Sequence, residues 1–261
     1  MAVTFLFVPG DRSERFSKAL AAGPDAVILD LEDAVAPANK PAAREAVRSA
    51  LADGISACVR INPIGTRAAE ADLLMLQAHP PQMVLVPKAT SAAAVERARE
   101  YLPHTPTIAI VESIHGVLAL HEIARAEGLA GIALGGFDLC AELGARPTPE
   151  TLAPYRAQVV LAARLGGVAA IDTPWVGIAD LEGLAADARR AVDFGFDGKL
   201  AIHPNQVAPI NAAFAPSDAE LERARKIVAA AGEGGAVQLD GVMIDPPLVT
   251  AAQRVLARAR T

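Results

Sequence analysis

The chain has 261 residues, 52% of them apolar and only 4% aromatic, so its apolar content is mostly Ala, Val, Leu and Ile. That length carries one α/β barrel or two small domains, and the composition suits helices laid against buried parallel strands. A formal net charge of −6 argues against nucleic-acid binding, which calls for a basic excess, but leaves room for an anion held by a local cluster of Arg and Lys.

The opening residues Met1–Pro9 lack the positive start of a signal peptide, and Pro9-Gly10 stops their apolar run early. No run approaches the ~18 apolar residues of a membrane span. The expectation is a cytoplasmic enzyme with no membrane partner. The two cysteines, Cys58 and Cys140, read as small buried hydrophobes in a reducing compartment, and neither stands in a metal-binding pattern.

Eight short apolar, β-branched runs follow in order: Thr4–Val8, Ala26–Asp30, Ala57–Ile61, Met83–Val86, Thr107–Val111, Gly131–Leu134, Val168–Ile171 and Gly198–Ile202. Between them lie stretches with helical spacing and good helix formers, such as Ser91–Tyr101 and Pro154–Leu165. Strict strand–helix alternation predicts parallel strands with helical crossovers, and eight units predict a (β/α)₈ TIM barrel over residues 1–215. An open doubly wound sheet is the structural alternative, weakened by the lack of a Gly-x-Gly-x-x-Gly after the first strand. The last stretch, 216–261, departs from the repeat. Pro216-Ser217-Asp218 leads a capped helix over Ala219–Ala231 that Gly232, Gly234 and Gly235 break. A strand or hairpin over Val237–Ile244 and a last helix after Pro246-Pro247 complete a short C-terminal helical appendage, expected to pack on the barrel or on a neighbouring subunit.

In barrels of this kind chemistry sits where strands end and βα loops begin. Those ends carry Arg12; Asp30, Glu32 and Asp33; Arg60; Lys88; Glu112; Asp138; Asp172; and His203. Carboxylates outnumber cations in this ring, which suits a hard divalent ion, since Mg²⁺ takes one or two protein carboxylates and completes its octahedron with water and substrate oxygens. The five histidines are scattered without the close spacing of a zinc site.

These residues resemble the citrate lyase β-subunit-like family, with its malyl-CoA and citramalyl-CoA lyases and the nearby HpcH/HpaI aldolases. The resemblance runs through Leu6-Phe7-Val8-Pro9-Gly10-Asp11-Arg12, Ile28-Leu29-Asp30-Leu31-Glu32-Asp33, Val59-Arg60-Ile61-Asn62-Pro63, Val86-Pro87-Lys88, Val111-Glu112-Ser113, Gly135-Gly136-Phe137-Asp138-Leu139, Ala201-Ile202-His203-Pro204-Asn205-Gln206 and Met243-Ile244-Asp245. It implies Glu112 and Asp138 as ligands of Mg²⁺, with Mn²⁺ a possible substitute. It also implies Arg60 on the substrate carbonyl or carboxylate, Arg12 and Lys18 near CoA phosphates, and Asp30, Glu32 and Asp33 lining the site. Glu32 and Asp33 would hold metal-bound waters or orient Arg60. Asp245 would reach a neighbouring subunit's site as an acid/base group, which requires a homo-oligomer, a trimer or a dimer of trimers.

Plainer roles exist for each: a solvated strand-end acid for Glu112, a helix N-cap for Asp138, a rim salt bridge for Arg60, a surface lysine for Lys18 and a turn aspartate for Asp245. Lys88 and His203 are expected to be structural, and Asp172 to orient a neighbouring cation. The activity implied is cleavage, or formation, of a 3-hydroxyacyl-CoA such as a malyl, citramalyl or citryl thioester. Its products would be an acetyl thioester and a 2-keto acid, and no citrate lyase complex partner is evident. The alternatives are a metal-dependent aldolase of free 2-keto acids, a non-catalytic CoA- or keto-acid-binding protein, and a barrel that hydrolyses or condenses malyl-type thioesters.

Overall fold

The computed structural model describes residues 3–231, 237–239 and 241–259. Its eight parallel strands are β1 (Thr4–Pro9), β2 (Ala26–Asp30), β3 (Cys58–Arg60), β4 (Val84–Val86), β5 (Thr107–Val111), β6 (Leu129–Leu134), β7 (Ala169–Asp172) and β8 (Gly198–Ala201). They pair in sequence order, and β8 pairs back onto β1 to close a TIM barrel. The expected runs Ala26–Asp30 and Thr107–Val111 coincide with strands end to end, and the others shift by one or two residues at an end. Around the strands run α1 (Phe16–Ala21), α2 (Lys40–Ala52), α3 (Arg67–Leu76), α4 (Ala92–Tyr101), α5 (Ile114–Leu118), α6 (Leu120–Ile123), α7 (Gly136–Glu142), α8 (Pro149–Gly166) and α9 (Leu181–Phe194).

The helix expected from Pro154 starts earlier. Pro149 takes the first helical position and Thr148 caps it, its hydroxyl accepting from Thr151 N–H at 3.2 Å. Pro154 lies inside the helix and forfeits one backbone bond. Burial of Leu152, Arg156, Val159, Ala162 and Ala163 along one face carries the helix past it.

Strand side chains alternate between two faces, and here both faces are buried, so the strands read as continuous apolar runs. One set fills the barrel interior as a single cluster: Phe5, Ala26, Ile28, Cys58, Leu85, Ile108, Ile110, Ala133, Ile171 and Leu200, with Phe7 and Met83 packed against it. Cys58 and Cys140 are both buried free thiols, and burial pushes the Cys58 thiol up to about 12.

The same alternation decides which strand-end residues reach the mouth. Asp30, Arg60, Glu112 and Thr173 are each two residues beyond an interior residue and share its face, whereas Asp172 takes the opposite one. Asp172 pairs in register with Lys199, and both turn outward into a sealed cluster with Arg156 of α8 and Asp187 of α9. Arg156 grips Asp172 through two bonds of 2.9 Å and reaches Asp187 at 2.9 Å. Lys199 Nζ donates to Asp172 at 2.6 Å, Asp187 at 2.7 Å and the Thr173 carbonyl at 2.7 Å. Asp172 thus holds cations, as expected, but does so beneath the rim instead of within it.

The chain separates into two compact units, Met1–Ile210 and Asn211–Thr261, the boundary falling inside α10 (Val207–Phe214). In the second unit α11 (Asp218–Ala230) opens on a capping box between Ser217 and Glu220. The antiparallel hairpin β9 (Val237–Leu239) and β10 (Val242–Ile244) precedes α12 (Pro246–Arg258). Ala224, Ile227, Ile244 and Ala252 form this unit's buried core. The expected break at Gly232, Gly234 and Gly235 lies outside the described residues. Among the described residues no helix is long and apolar enough to cross a membrane.

Candidate active site

Register brings the mouth residues together. Asp30 sits opposite Arg60 across β2 and β3, and the carboxylate takes the guanidinium two-pronged, Nε to Oδ1 at 2.7 Å and Nη2 to Oδ2 at 2.5 Å. Asp30 is fully buried, and Glu32 N–H at 2.9 Å and Ala34 N–H at 3.3 Å complete its bonds. Its carboxylate therefore holds Arg60 and the turn after β2. Phe7, on the interior face of β1, stacks under the guanidinium with its ring centre 4.7 Å from the central carbon. Arg60 is thereby fixed at edge and face, and its charged form is stabilised: burial opposes the charge, but Asp30, Glu32 and Glu112 outweigh it.

The turn carrying Glu32 is anchored from behind. Lys40 Nζ donates to the Leu31 and Glu32 carbonyls at 2.9 and 3.0 Å and to Asn62 Oδ1 at 2.5 Å. Asn62 is locked in turn by buried Asp72, which accepts from its N–H at 2.8 Å and its Nδ2 at 2.6 Å. The Glu32 side chain accepts from Lys88 Nζ at 2.6 Å through Oε1. Its Oε2 lies 2.9 Å from Arg60 Nη1 but off-line for a hydrogen bond, leaving a buried oxygen with a countercharge and no aimed donor. Burial raises the Glu32 pKa despite both cations.

Glu112, buried at the end of β5, accepts from Lys88 N–H at 2.8 Å through Oε1. Its Oε2 lies against Gly135, where an added Cβ would stand 2.5 Å from that oxygen and closer still to Glu112 Cβ. Gly135 has φ −92°, so glycine is needed there for room and not for backbone conformation. Asp138 is the third residue of α7, whose N-cap is Gly135 without side-chain capping, so the N-cap alternative for Asp138 is not realised. Thr173 accepts from Gly136 N–H at 3.1 Å and holds the start of α7.

Phe7, Arg60, Glu112, Gly135, Gly136, Asp138 and Thr173 share one cavity of about 100 Å³, with Ile110, Phe137, Pro174 and Leu200 as apolar wall. Glu112, Asp138 and Arg60 line this cavity, and Asp30, Glu32 and Lys88 contact those lining residues from outside it. Burial first, and then the Glu32 and Asp138 charges, push Glu112 up to about 8. A carboxylate pair on one cavity, short of positive charge and made of hard oxygens, fits a divalent ion of the Mg²⁺ kind. Among the described residues no cluster of three or more His, Cys, Asp or Glu forms a ligand set, which Mg²⁺ does not require.

The remaining sequence candidates have other surroundings. Asp33 is mostly exposed, 3.4 Å from Lys88 Nζ. Arg12 and Lys18 are exposed, on the segment after β1 and on α1. Asp245 belongs to the second unit, where it caps α12 by accepting from Leu248 N–H at 3.2 Å. His203 bonds locally to Asn205. Sequence reasoning passed over Phe7, Gly135, Thr173 and Lys40. The two-residue alternation from Phe5 and Ile171 is the signal that points Phe7 and Thr173 into the mouth, whereas nothing local marks the roles of Gly135 and Lys40.

A citrate lyase subunit beta-like protein of Mycobacterium tuberculosis is 41% identical, over 98% of this chain and 94% of its own length. A (3S)-malyl-CoA thioesterase of Cereibacter sphaeroides is 35% identical, over 97% and 93%. The crystal structure of M. tuberculosis CitE in complex with magnesium, acetoacetate and coenzyme A superposes with a TM-score of 0.89 at 40% identity, covering 99% of this chain and 98% of that one. Residues 3–204 match the family described as HpcH/HpaI aldolase/citrate lyase, and the chain belongs to that family.

Proposed function

We propose that the protein is a magnesium-dependent carbon–carbon lyase that cleaves, or forms, a 3-hydroxyacyl-CoA, giving an acetyl thioester and a 2-keto acid. The observation that carries this is the shared cavity of Glu112, Asp138 and a fully braced Arg60 at the barrel mouth. Binding of magnesium, keto acids and coenzyme A by the related M. tuberculosis protein supports it.

Glu112 and Asp138 would hold the ion, which supplies a Lewis acid for the substrate's hydroxyl and carboxylate oxygens. Breaking the carbon–carbon bond turns the hydroxyl-bearing carbon into the keto group, its hydroxyl proton passing to water, and leaves the bonding pair on the thioester fragment as an enolate. Arg60, already held by Asp30 and Phe7, meets that developing charge without reorganising. Glu32 and Asp33 act through Arg60 and Lys88. Arg12 and Lys18 meet CoA phosphates. Asp245 of a neighbouring subunit, carried on the segment 216–261 of a trimer or hexamer, delivers the proton to the enolate carbon.

A second activity, thioester hydrolysis, is favoured by the 35% identity to malyl-CoA thioesterases. The test is incubation with Mg²⁺, acetyl-CoA and a panel of 2-keto acids, with mass-spectrometric identification of adducts and a parallel assay for free thiol. EDTA-sensitive adducts without free thiol are expected. Free CoA with free hydroxy acid would establish hydrolysis, turnover of free hydroxy-keto acids alone would establish an aldolase, and no conversion at all would remove the lyase assignment.

A further inference from the structure

Lys88 was expected to be structural, yet its backbone is unlike that of any other described non-glycine residue. It is the one non-glycine among the described residues at positive φ, 50°, a region that side chains other than those of Asn and Asp rarely enter. The turn is pinned on both sides. Ala89 N–H donates to the Ile110 carbonyl at 3.0 Å, and the Ala89 carbonyl lies so close to Gly116 that a Cβ there would stand 2.6 Å away. In this conformation Lys88 reaches three carboxylates at once. Its main-chain N–H meets Glu112 Oε1 at 2.8 Å, and its ammonium meets Glu32 Oε1 at 2.6 Å and Asp33 at 3.4 Å.

We infer that Lys88 is a positioning residue for the divalent ion: its left-handed main chain fixes Glu112 Oε1, so that Oε2 is the oxygen presented beside Gly135 and Asp138, while its ammonium clamps Glu32. The two Glu112 oxygens thereby have different work. One is tied to the β4 turn, and the other is left at the cavity the ion would occupy. Glycine would adopt this turn without strain, so a lysine there is paid for by what the side chain does, namely joining the turn after β4 to the turn after β2. The inference rests on the proposed metal role of Glu112.

Two substitutions separate main chain from side chain. Lys88→Gly and Lys88→Val both delete the ammonium, but glycine keeps the left-handed turn and a β-branched residue expels it. Binding of Mn²⁺, followed by the electron paramagnetic resonance of the free ion, gives a readout independent of turnover. Lys88→Gly is expected to bind Mn²⁺ within about threefold of the parent, and Lys88→Val at least about tenfold more weakly, in line with losses seen when outer contacts of metal ligands are removed. Lys88→Asn, which tolerates the same turn, should follow Lys88→Gly and covers the case in which the valine protein does not fold. Equal affinities of Lys88→Val and Lys88→Gly, or a Lys88→Asn or Lys88→Gly protein as weak as Lys88→Val, would overturn the inference. Glu112→Gln serves as the reference: if it binds Mn²⁺ as tightly as the parent, the metal site itself is refuted and the inference falls with it.

Discussion

Replacing Lys199 by methionine puts a number on the sealed cluster behind β7 and β8. The ammonium is wholly buried and serves three oxygens, on Asp172, Asp187 and the Thr173 carbonyl. Lys199→Met keeps most of the volume, so little cavity opens, but Asp172 and Asp187 are left with Arg156 as their one buried cation, Arg190 reaching Asp187 at 3.2 Å only from the half-exposed flank. Breaking a buried ion pair from one side costs about 3–5 kcal/mol. At about 2–4 °C per kcal/mol for a chain of this size, thermal unfolding should move down by about 6–20 °C. Calorimetry measures the shift, and fluorescence of the single tryptophan, Trp175, follows it independently. Adding Asp187→Asn removes the surplus charge and should recover part of the loss, as neighbours in one network do not add. A Tm within about 3 °C of the parent, equivalent to roughly 1 kcal/mol, would refute the claim that the cluster depends on charge balance.

Gly135→Ala should weaken Mg²⁺ binding by about tenfold or more while costing only about 1–3 kcal/mol of stability, because the atoms nearest the new methyl all belong to Glu112, which it displaces; an unchanged Kd by calorimetry would dissociate Glu112 Oε2 from the metal. Burial alone would raise the Asp187 carboxyl, but the charges of Lys199 and Arg156 and their hydrogen bonds hold it below the ordinary 3.8. Its contribution to stability is therefore complete above about pH 4 and disappears as pH falls through the lower folded value. Acid unfolding of Asp187→Asn should accordingly show a shallower pH dependence below pH 4, and a slope equal to the parent's would refute this. Asp245→Asn should slow turnover by about 10²–10⁴-fold. Because asparagine caps a helix as well as aspartate does, Tm should stay within about 1–2 °C. A parental rate would leave Asp245 as a cap and nothing more.

The barrel was legible because both strand faces are buried, so each strand announced itself as an apolar run, and Thr107–Val111 could be bounded to the residue. Which strand-end acids meet was legible only in part. Asp30, Glu112 and Arg60 follow from position, but Asp172 looks the same in the sequence and points the other way, since a single residue of phase decides its face. Pro154 misled for a related reason: a proline is a start signal only when no better-capped proline precedes it, and Thr148-Pro149 does. The left-handed turn at Lys88 left no local trace, because the packing of Ala89 against β5 and Gly116 imposes it from a distance.

Cys58 offers a use that follows from where it lies. Its sulfur is enclosed by the barrel's inner cluster, without exposure, and its proton is held far above neutral pH. The thiolate, not the thiol, attacks alkylating and disulfide-exchange reagents, so modification must wait until the staves part. The rate at which Cys58 is labelled in a protein lacking Cys140 is therefore a clock for whole-barrel opening, built into the chain without any added probe.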